Sequence, residues 1–377
     1  MASWDGCTVN MQKSYNALVL KNLNPQQKEA VTHREGPLLV FAGAGSGKTR
    51  VITYRIAWLI DQGIVKPENI LAVTFTRKAA GEMKERVSHL LSEQDRKSLR
   101  PYIGTFHSFG AVMLRMDGQL LGIPAGFSIY DPDDAIHVVK QIMDDENIDK
   151  KQYNPRNVRG SISSAKNEMV SPDDFMQFVQ GPFDEVVAQV YPEYESRLRE
   201  QAAVDFDDLQ ILPLQLLKEF PDVKERYNSR YTFLLVDEYQ DTNTVQYQLV
   251  KHLAGKQKNV CVVGDDDQGI YSWRGASIKN ILSFERDFPG AAVVHLEENY
   301  RSTANILQAA QSVITNNSER AVKDLWTEAD RGDRIYLYEA KSDRDEAVYV
   351  ADRIEEHERA GGSLDDVGIL YRINAQS

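Results

Sequence analysis

The stretch Pro37–Thr49, PLLVFAGAGSGKT, decides the fold. Its apolar run from Leu38 to Phe41 reads as a buried strand, the small residues Ala42 to Gly47 as a loop, and Lys48-Thr49 as the start of a helix. That order makes a phosphate cradle. Gly43, Gly45 and Gly47, with Ala44 and Ser46 between them, let the backbone wrap closely enough for its N–H groups to face phosphate oxygens. The helix adds its positive N-terminal end. Lys48 is placed to reach the β- and γ-phosphates and Thr49 to hold Mg²⁺. One departure from the strict P-loop pattern is Ala42, which stands where the first glycine usually does.

Working outward, Asn24 can cap a helix that Pro25 starts, just before this strand. After the loop, apolar residues at 51, 52, 56, 59 and 60 give a helix stripe that stops at Gly63. Ile70 to Phe75 is a second short apolar run, and the TRKAAGEMKERVSHLL behind it is helical. The pattern is β-α-β-α, which predicts a parallel sheet with ligands at the carboxyl ends of its strands. From Gly110 to about Ala203 the chain turns helical, with Pro and Gly breaks and no convincing strand. Sheet-like runs return at 231–237, 259–264 and 291–296. The expected organisation is therefore an α/β nucleotide-binding sheet interrupted by a helical insertion. A last β-α-β unit is expected from a strand at 334–339, a helix from Asp345 to about Arg359 and a strand at 366–371.

Bulk composition is that of an ordinary globular chain, with 377 residues and 42% hydrophobic content, enough for two or three domains. A net charge of -12 argues against coating duplex DNA by bulk charge, though it leaves room for a local basic or aromatic track. Two cysteines exclude a disulfide framework and fit a reducing cytoplasm. No segment approaches the apolar length of a membrane span, and the N-terminus has no signal-like apolar run.

Two further stretches carry chemistry. LLVDEYQDT, from Leu234, delivers Asp237 and Glu238 at the end of a strand. Opposite a P-loop, Asp237 would hold the Mg²⁺ shell and Glu238 would deprotonate the attacking water. VVGDDDQGIYSWRGA, from Val262, runs into three carboxylates, then Gln268, Tyr271, Trp273 and Arg274. Gln268 can touch a γ-phosphate without carrying charge, and the rings can stack on unpaired bases. TFTRKA adds Phe75 and Arg77, GTFHS adds His107, and ENYRS adds Tyr300 and Arg301.

Taken together and in this order, these stretches resemble superfamily 1 DNA helicases of the UvrD/Rep/PcrA group, GDDDQGIYSWRGA looking closest to Rep-type members, over roughly residues 23 to 377. The resemblance implies RecA-like domains with ATP and Mg²⁺ between them, and 3′ to 5′ translocation on single-stranded DNA. It also implies cytoplasmic work at single-strand/duplex junctions beside repair or replication proteins. It gives Gln27 to the adenine, with Arg50 and Tyr300 flanking the base, and Gln268 and Arg301 to the γ-phosphate. Phe75, His107, Tyr271, Trp273 and Arg274 would line the DNA track. Gly269 stands where the family usually has Ser, which is expected to loosen that turn.

The expected domains are a loose extension over 1–20, a first RecA-like domain at 21–109 and 204–290, the insertion at 110–203, and an incomplete second RecA-like domain at 291–377. The family's later motifs, including a second catalytic arginine, are not found before Ser377. The expectation is thus a truncated N-terminal part, able to bind ATP and single-stranded DNA but poorly able to hydrolyse or unwind alone. Two rival readings are a P-loop ATPase switch that never translocates and a non-enzymatic DNA- or partner-binding module.

Overall fold

Alternation along short apolar strands explains a sheet buried on both faces. In chain order, the computed structural model has α1 (Pro25–Thr32), β1 (Leu38–Ala42), α2 (Lys48–Asp61), β2 (Ile70–Thr74), α3 (Arg77–Leu90) and β3 (Tyr102–Thr105). Helices α4 (Phe106–Asp117), α5 (Pro132–Asp145), α6 (Pro155–Asn167), α7 (Pro182–Glu200), α8 (Asp208–Glu219) and α9 (Pro221–Arg230) follow. The two-residue strands β4 (Ser128–Ile129) and β5 (Ala203–Val204) lie among them. Then come β6 (Phe233–Val236), α10 (Thr244–Leu253), β7 (Val260–Gly264), β8 (Ala292–Leu296), α11 (Ala304–Ile314) and α12 (Asp343–Arg359). The structure describes residues 20–91, 100–318, 320, 321, 323–371 and 373, with the side chain of Arg274 excepted. The expected N-terminal extension, apart from Leu20, lies outside the described residues.

Six strands form one parallel sheet in the order β3-β2-β6-β7-β1-β8. Leu39, Leu71, Leu234 and Val262 enter the core on one face, while Leu38, Ala72, Leu235 and Cys261 enter the core on the other. Because every strand runs the same way, the loops after β2, β6, β7, β1 and β8 share one edge. Each of these loops carries one of the stretches singled out above.

Two of the expected boundaries fall within packed elements. Helix α4 runs straight through Gly110 and packs on α8 in a sheet-side core with Phe109, Met113 and Leu212, so the first inserted helix belongs to the sheet. The insertion's own core lies in α5, α6 and α7, around Ile142, Ile162 and Tyr194, and the short β4–β5 ladder closes its base. Strand β8, expected to open a second domain, pairs with β1 in parallel, Leu38 opposite Ala292. Its Val294 and Leu296 join the core, and it covers an edge of β1 that would otherwise lie open.

A charged network anchors the insertion. Lys166, 4% exposed, contacts Asp208 at 2.7 Å and Asp205 at 3.0 Å, and Arg159 bridges Asp205 and Asp207. Against its burial, Lys166 and Arg159 hold the Asp205 carboxyl down at about 2. From this network Asn167 accepts a 2.8 Å bond from Asn243, which caps α10 just past the Asp237-Glu238 loop.

Residues 331–377 form a separate unit. The expected helix is present as α12, capped by Ser342, with Tyr338 stacked on Tyr349 at 3.9 Å. The expected strands at 334–339 and 366–371 do not form. Leu337 and Leu370 are almost wholly exposed there, and an extended segment without a neighbour gains no ladder bonds. Among the described residues no helix is long and apolar enough to cross a membrane.

Candidate nucleotide and DNA site

The P-loop is held by its own carbonyls. Gly45 and Gly47 adopt φ of +68° and +89°, which glycine tolerates without steric cost. Asn299 Nδ2 donates to Ala44 O at 2.6 Å, the Tyr300 amide to Gly45 O at 3.0 Å, and Gln27 Nε2 to Ser46 O at 3.0 Å. Ser46 Oγ closes the loop onto Gly43 O at 2.7 Å. A loop fixed through its carbonyls can turn its remaining N–H groups, with the N-terminus of α2, toward an anion.

Gln27 is buried, and its backbone amide caps on Asn24, so a single residue ties α1 to the loop. Arg50 lies over the Tyr54 ring and close enough to Tyr300 to act on its hydroxyl. Tyr300 Oη donates to Glu298 at 2.5 Å, and burial and Glu298 push this phenol up to about 12. Arg301 is exposed, with its amide held by Asn299 Oδ1 and its Cβ close to Gly45.

Lys48 Nζ stands 3.4 Å from Ala42 O and 4.0 Å from Asp265. Thr49 bonds Asp237, which is 4% exposed at the end of β6. Burial, and then the Glu238 charge beside it, push the Asp237 carboxyl up to about 7, against the pull of Lys48 and Thr49. A buried carboxylate raised in this way is short of a cation, so Thr49 and Asp237 fit a divalent ion. Glu238 sits at φ +52°, a left-handed conformation that costs a side-chain-bearing residue about 1–2 kcal/mol. Gln240 holds its carboxylate at 2.9 Å and accepts from the Asp265 amide at 3.0 Å.

The raised Asp237 sets a pH dependence. Between pH 4 and 7 the folded, metal-free chain keeps a proton that the unfolded chain has lost, so stability falls as pH rises through that window. The full loss is about 4 kcal/mol. Asp237→Asn is expected to remove this decline, so that above pH 7 in EDTA the variant melts higher than the wild type. Parallel melting curves across pH check it.

Gln268 Nε2 donates to Asp265 at 2.5 Å, which puts it beside Lys48. Gly269 has an ordinary φ of -67°, and a Cβ there would stand 2.8 Å from Ile278 Cγ2. Glycine at this turn relieves crowding against Ile278, so the expected loosening has no source in a left-handed backbone. Phe75 packs against Tyr271 with ring centres 4.7 Å apart and planes tilted by 30°, and Tyr271 against Trp273 at 6.4 Å and 45°, forming a run that ends in an indole 68% exposed. Arg77 is exposed at the start of α3. His107 pairs with Gln210 at 2.7 Å and packs against Phe206 at 5.7 Å. Only the backbone of Arg274 is described, in a short 3-10 turn.

Sequence reasoning missed Asn299, Gln240, Phe206 and Gln210. The partners of Asn299 and Gln210 lie more than a hundred residues away, and no local period signals them. Phe206, in VDFDD, offered an aromatic beside two acids as a signal.

A profile described as UvrD/REP helicase N-terminal domain matches residues 23–289, and one described as UvrD-like helicase C-terminal domain matches residues 294–377. The expectation of a truncated N-terminal part is therefore not supported, because the C-terminal profile is matched as well. The ATP-dependent DNA helicase PcrA of Staphylococcus epidermidis is 51% identical over 362 residues, covering 96% of this chain and 49% of that protein. The same figures hold for PcrA of Staphylococcus aureus. The chain spans about half the length of the curated relatives it matches.

Proposed function

This chain belongs to the UvrD/Rep family of helicases, and on that premise we propose that it binds Mg-ATP at the P-loop and couples its hydrolysis to 3′ to 5′ movement on single-stranded DNA. One observation carries the reading. The phosphate loop, the acid pair, Gln268 and the Phe75–Tyr271–Trp273 run all lie on one edge of a single parallel sheet. Gln240 and Asp265 connect the acid pair to the loop that bears the rings.

In this reading Gln27 reads the adenine, and Arg50 and Tyr300 flank it. Lys48, Gln268 and Arg301 meet the γ-phosphate, and Glu238 takes the proton of the attacking water. Mg²⁺ on Thr49 and Asp237 would offset phosphate charge. A change at the γ-phosphate alters Gln268 three residues before Tyr271, so nucleotide state and base stacking are linked through one short loop. Cytoplasmic action at single-strand/duplex junctions, beside repair or replication proteins, belongs to the same proposal. So does the domain reading, with residues from 291 on as part of a second RecA-like domain.

The test is Mg-ATP turnover with and without saturating oligo-dT, followed by unwinding of duplexes with 3′ or 5′ tails. DNA-stimulated turnover with a 3′-tail preference is expected. Equal turnover with and without DNA would favour the nucleotide switch, and DNA affinity without any turnover would favour the binding module. Trp273→Ala is expected to weaken oligo-dT binding about tenfold, in line with about 1–3 kcal/mol per stacked base. It should lower DNA-stimulated turnover more than DNA-free turnover, which steady-state kinetics would show.

A further inference from the structure

Residues 320, 321 and 323–327, which follow α11 in the chain, touch the nucleotide site in three places. Leu325 lies against Gly43, where an added Cβ would meet its side chain. Trp326 donates its amide to Glu297 O at 3.0 Å, and its carbonyl accepts from the Asn299 amide at 2.7 Å. The third contact is ionic. Lys323, 2% exposed, donates to Asp265 and Asp266 and lies 3.1 Å from Asp267. Arg320 bonds Asp267 at 2.8 Å, and the Ala321 amide bonds Asp266 at 2.6 Å.

These three consecutive carboxylates bring oxygens within 4.8 Å of one another, an arrangement that suits a divalent cation. The ammonium of Lys323 binds all three instead. Asp265 gives this a consequence, because the same carboxylate holds the Gln268 amide and stands 4.0 Å from Lys48. Three carboxylates against Lys323 and Arg320 leave one negative charge beside Lys48. Without Lys323 two would remain, and Lys48 would be drawn onto Asp265 and away from phosphate.

We propose that Lys323 is a positioning residue of the nucleotide site, a built-in cation that neutralises the triplet Asp265, Asp266 and Asp267 and so leaves Lys48 and Gln268 available to a γ-phosphate. The inference rests on reading the P-loop as an ATP site. It assigns the segment after α11 a part in nucleotide discrimination, since ADP lacks the group that Lys48 and Gln268 share.

Wild type, Lys323→Met and Lys323→Arg are titrated with Mg-ATP and Mg-ADP by calorimetry. Lys323→Met is expected to lose at least about tenfold in ATP affinity and much less in ADP affinity, while Lys323→Arg keeps both. In a second arm, Mn²⁺ without nucleotide should raise the melting temperature of Lys323→Met beyond its effect on the wild type, because the vacated triplet takes the ion. Equal loss of both nucleotides, or no extra response to Mn²⁺, overturns the proposal. Should Lys323→Met be unfolded without metal, Mn²⁺ is expected to restore folding, and failure to do so overturns it equally. A wild type that binds neither nucleotide would refute the ATP-site reading, and the Mn²⁺ arm would still decide the role of Lys323.

Discussion

Glu238→Gln is expected to keep Mg-ATP binding and to reduce turnover by about 10²–10⁴-fold. Glu238 follows Asp237 directly at the end of β6, in a left-handed conformation that the chain has to hold in place. Gln240 supplies that hold, bonding the Glu238 carboxylate at 2.9 Å and accepting from the Asp265 amide at 3.0 Å on its other side. A glutamine at 238 has the same length and the same backbone cost, so the fold and the P-loop should be unchanged. What it lacks is the ability to take a proton, which a general base must do within hydrogen-bond reach of the water. The variant also removes the negative charge that helps to push Asp237 up, which favours retained metal and nucleotide binding. Single-turnover hydrolysis beside equilibrium ATP binding separates the two effects. Turnover within tenfold of the wild type would take the role of base away from Glu238.

The edge of the sheet was legible because each strand there is a short apolar run ending in small or charged residues. Pro37–Thr49 and Leu234–Thr242 each contain a strand and its functional loop within about a dozen residues, and Asn24-Pro25 signalled its helix through local capping alone. Whatever depends on distant packing was not legible. Nothing local in AAVVHL says that β8 borders β1, because that pairing joins residues some 250 positions apart. Lys323 reads as one lysine in a mixed segment until the fold sets it in the Asp265–Asp267 triplet. The runs at 334–339 and 366–371 have strand-like sequences but find no neighbouring strand among the described residues, and sequence period cannot supply a partner.

Gly110 shows the same limit in the opposite direction, and it leads to a large expected effect on stability. By sequence this glycine marks a change of character; in the structure it lies inside α4 where that helix meets α8. A Cβ at 110 would stand 1.7 Å from the backbone carbonyl oxygen of Leu209 and 3.2 Å from Pro213. Pro213 has no N–H to bond this carbonyl, but the carbonyl is part of the α8 backbone and cannot swing away as a side chain can, so the two helices would have to separate. Gly110→Ala is therefore expected to cost at least about 3 kcal/mol, the upper range for overpacking a core. Gly160, inside α6, has no atom within 4 Å of an added Cβ, and Gly160→Ala should instead stabilise by about 0.5–1 kcal/mol. Urea unfolding of both variants tests the pair, and a Gly110→Ala chain as stable as the wild type would rule out so close an approach. The effect reaches function because α4 begins at Phe106-His107, and the His107–Gln210 bond spans the very interface that Gly110 keeps tight. Where Gly110→Ala still folds, parting α4 from α8 should break that bond and move His107 away from Phe206, so its oligo-dT affinity should fall while its Mg-ATP affinity, set on β1 and β6, stays near that of the wild type.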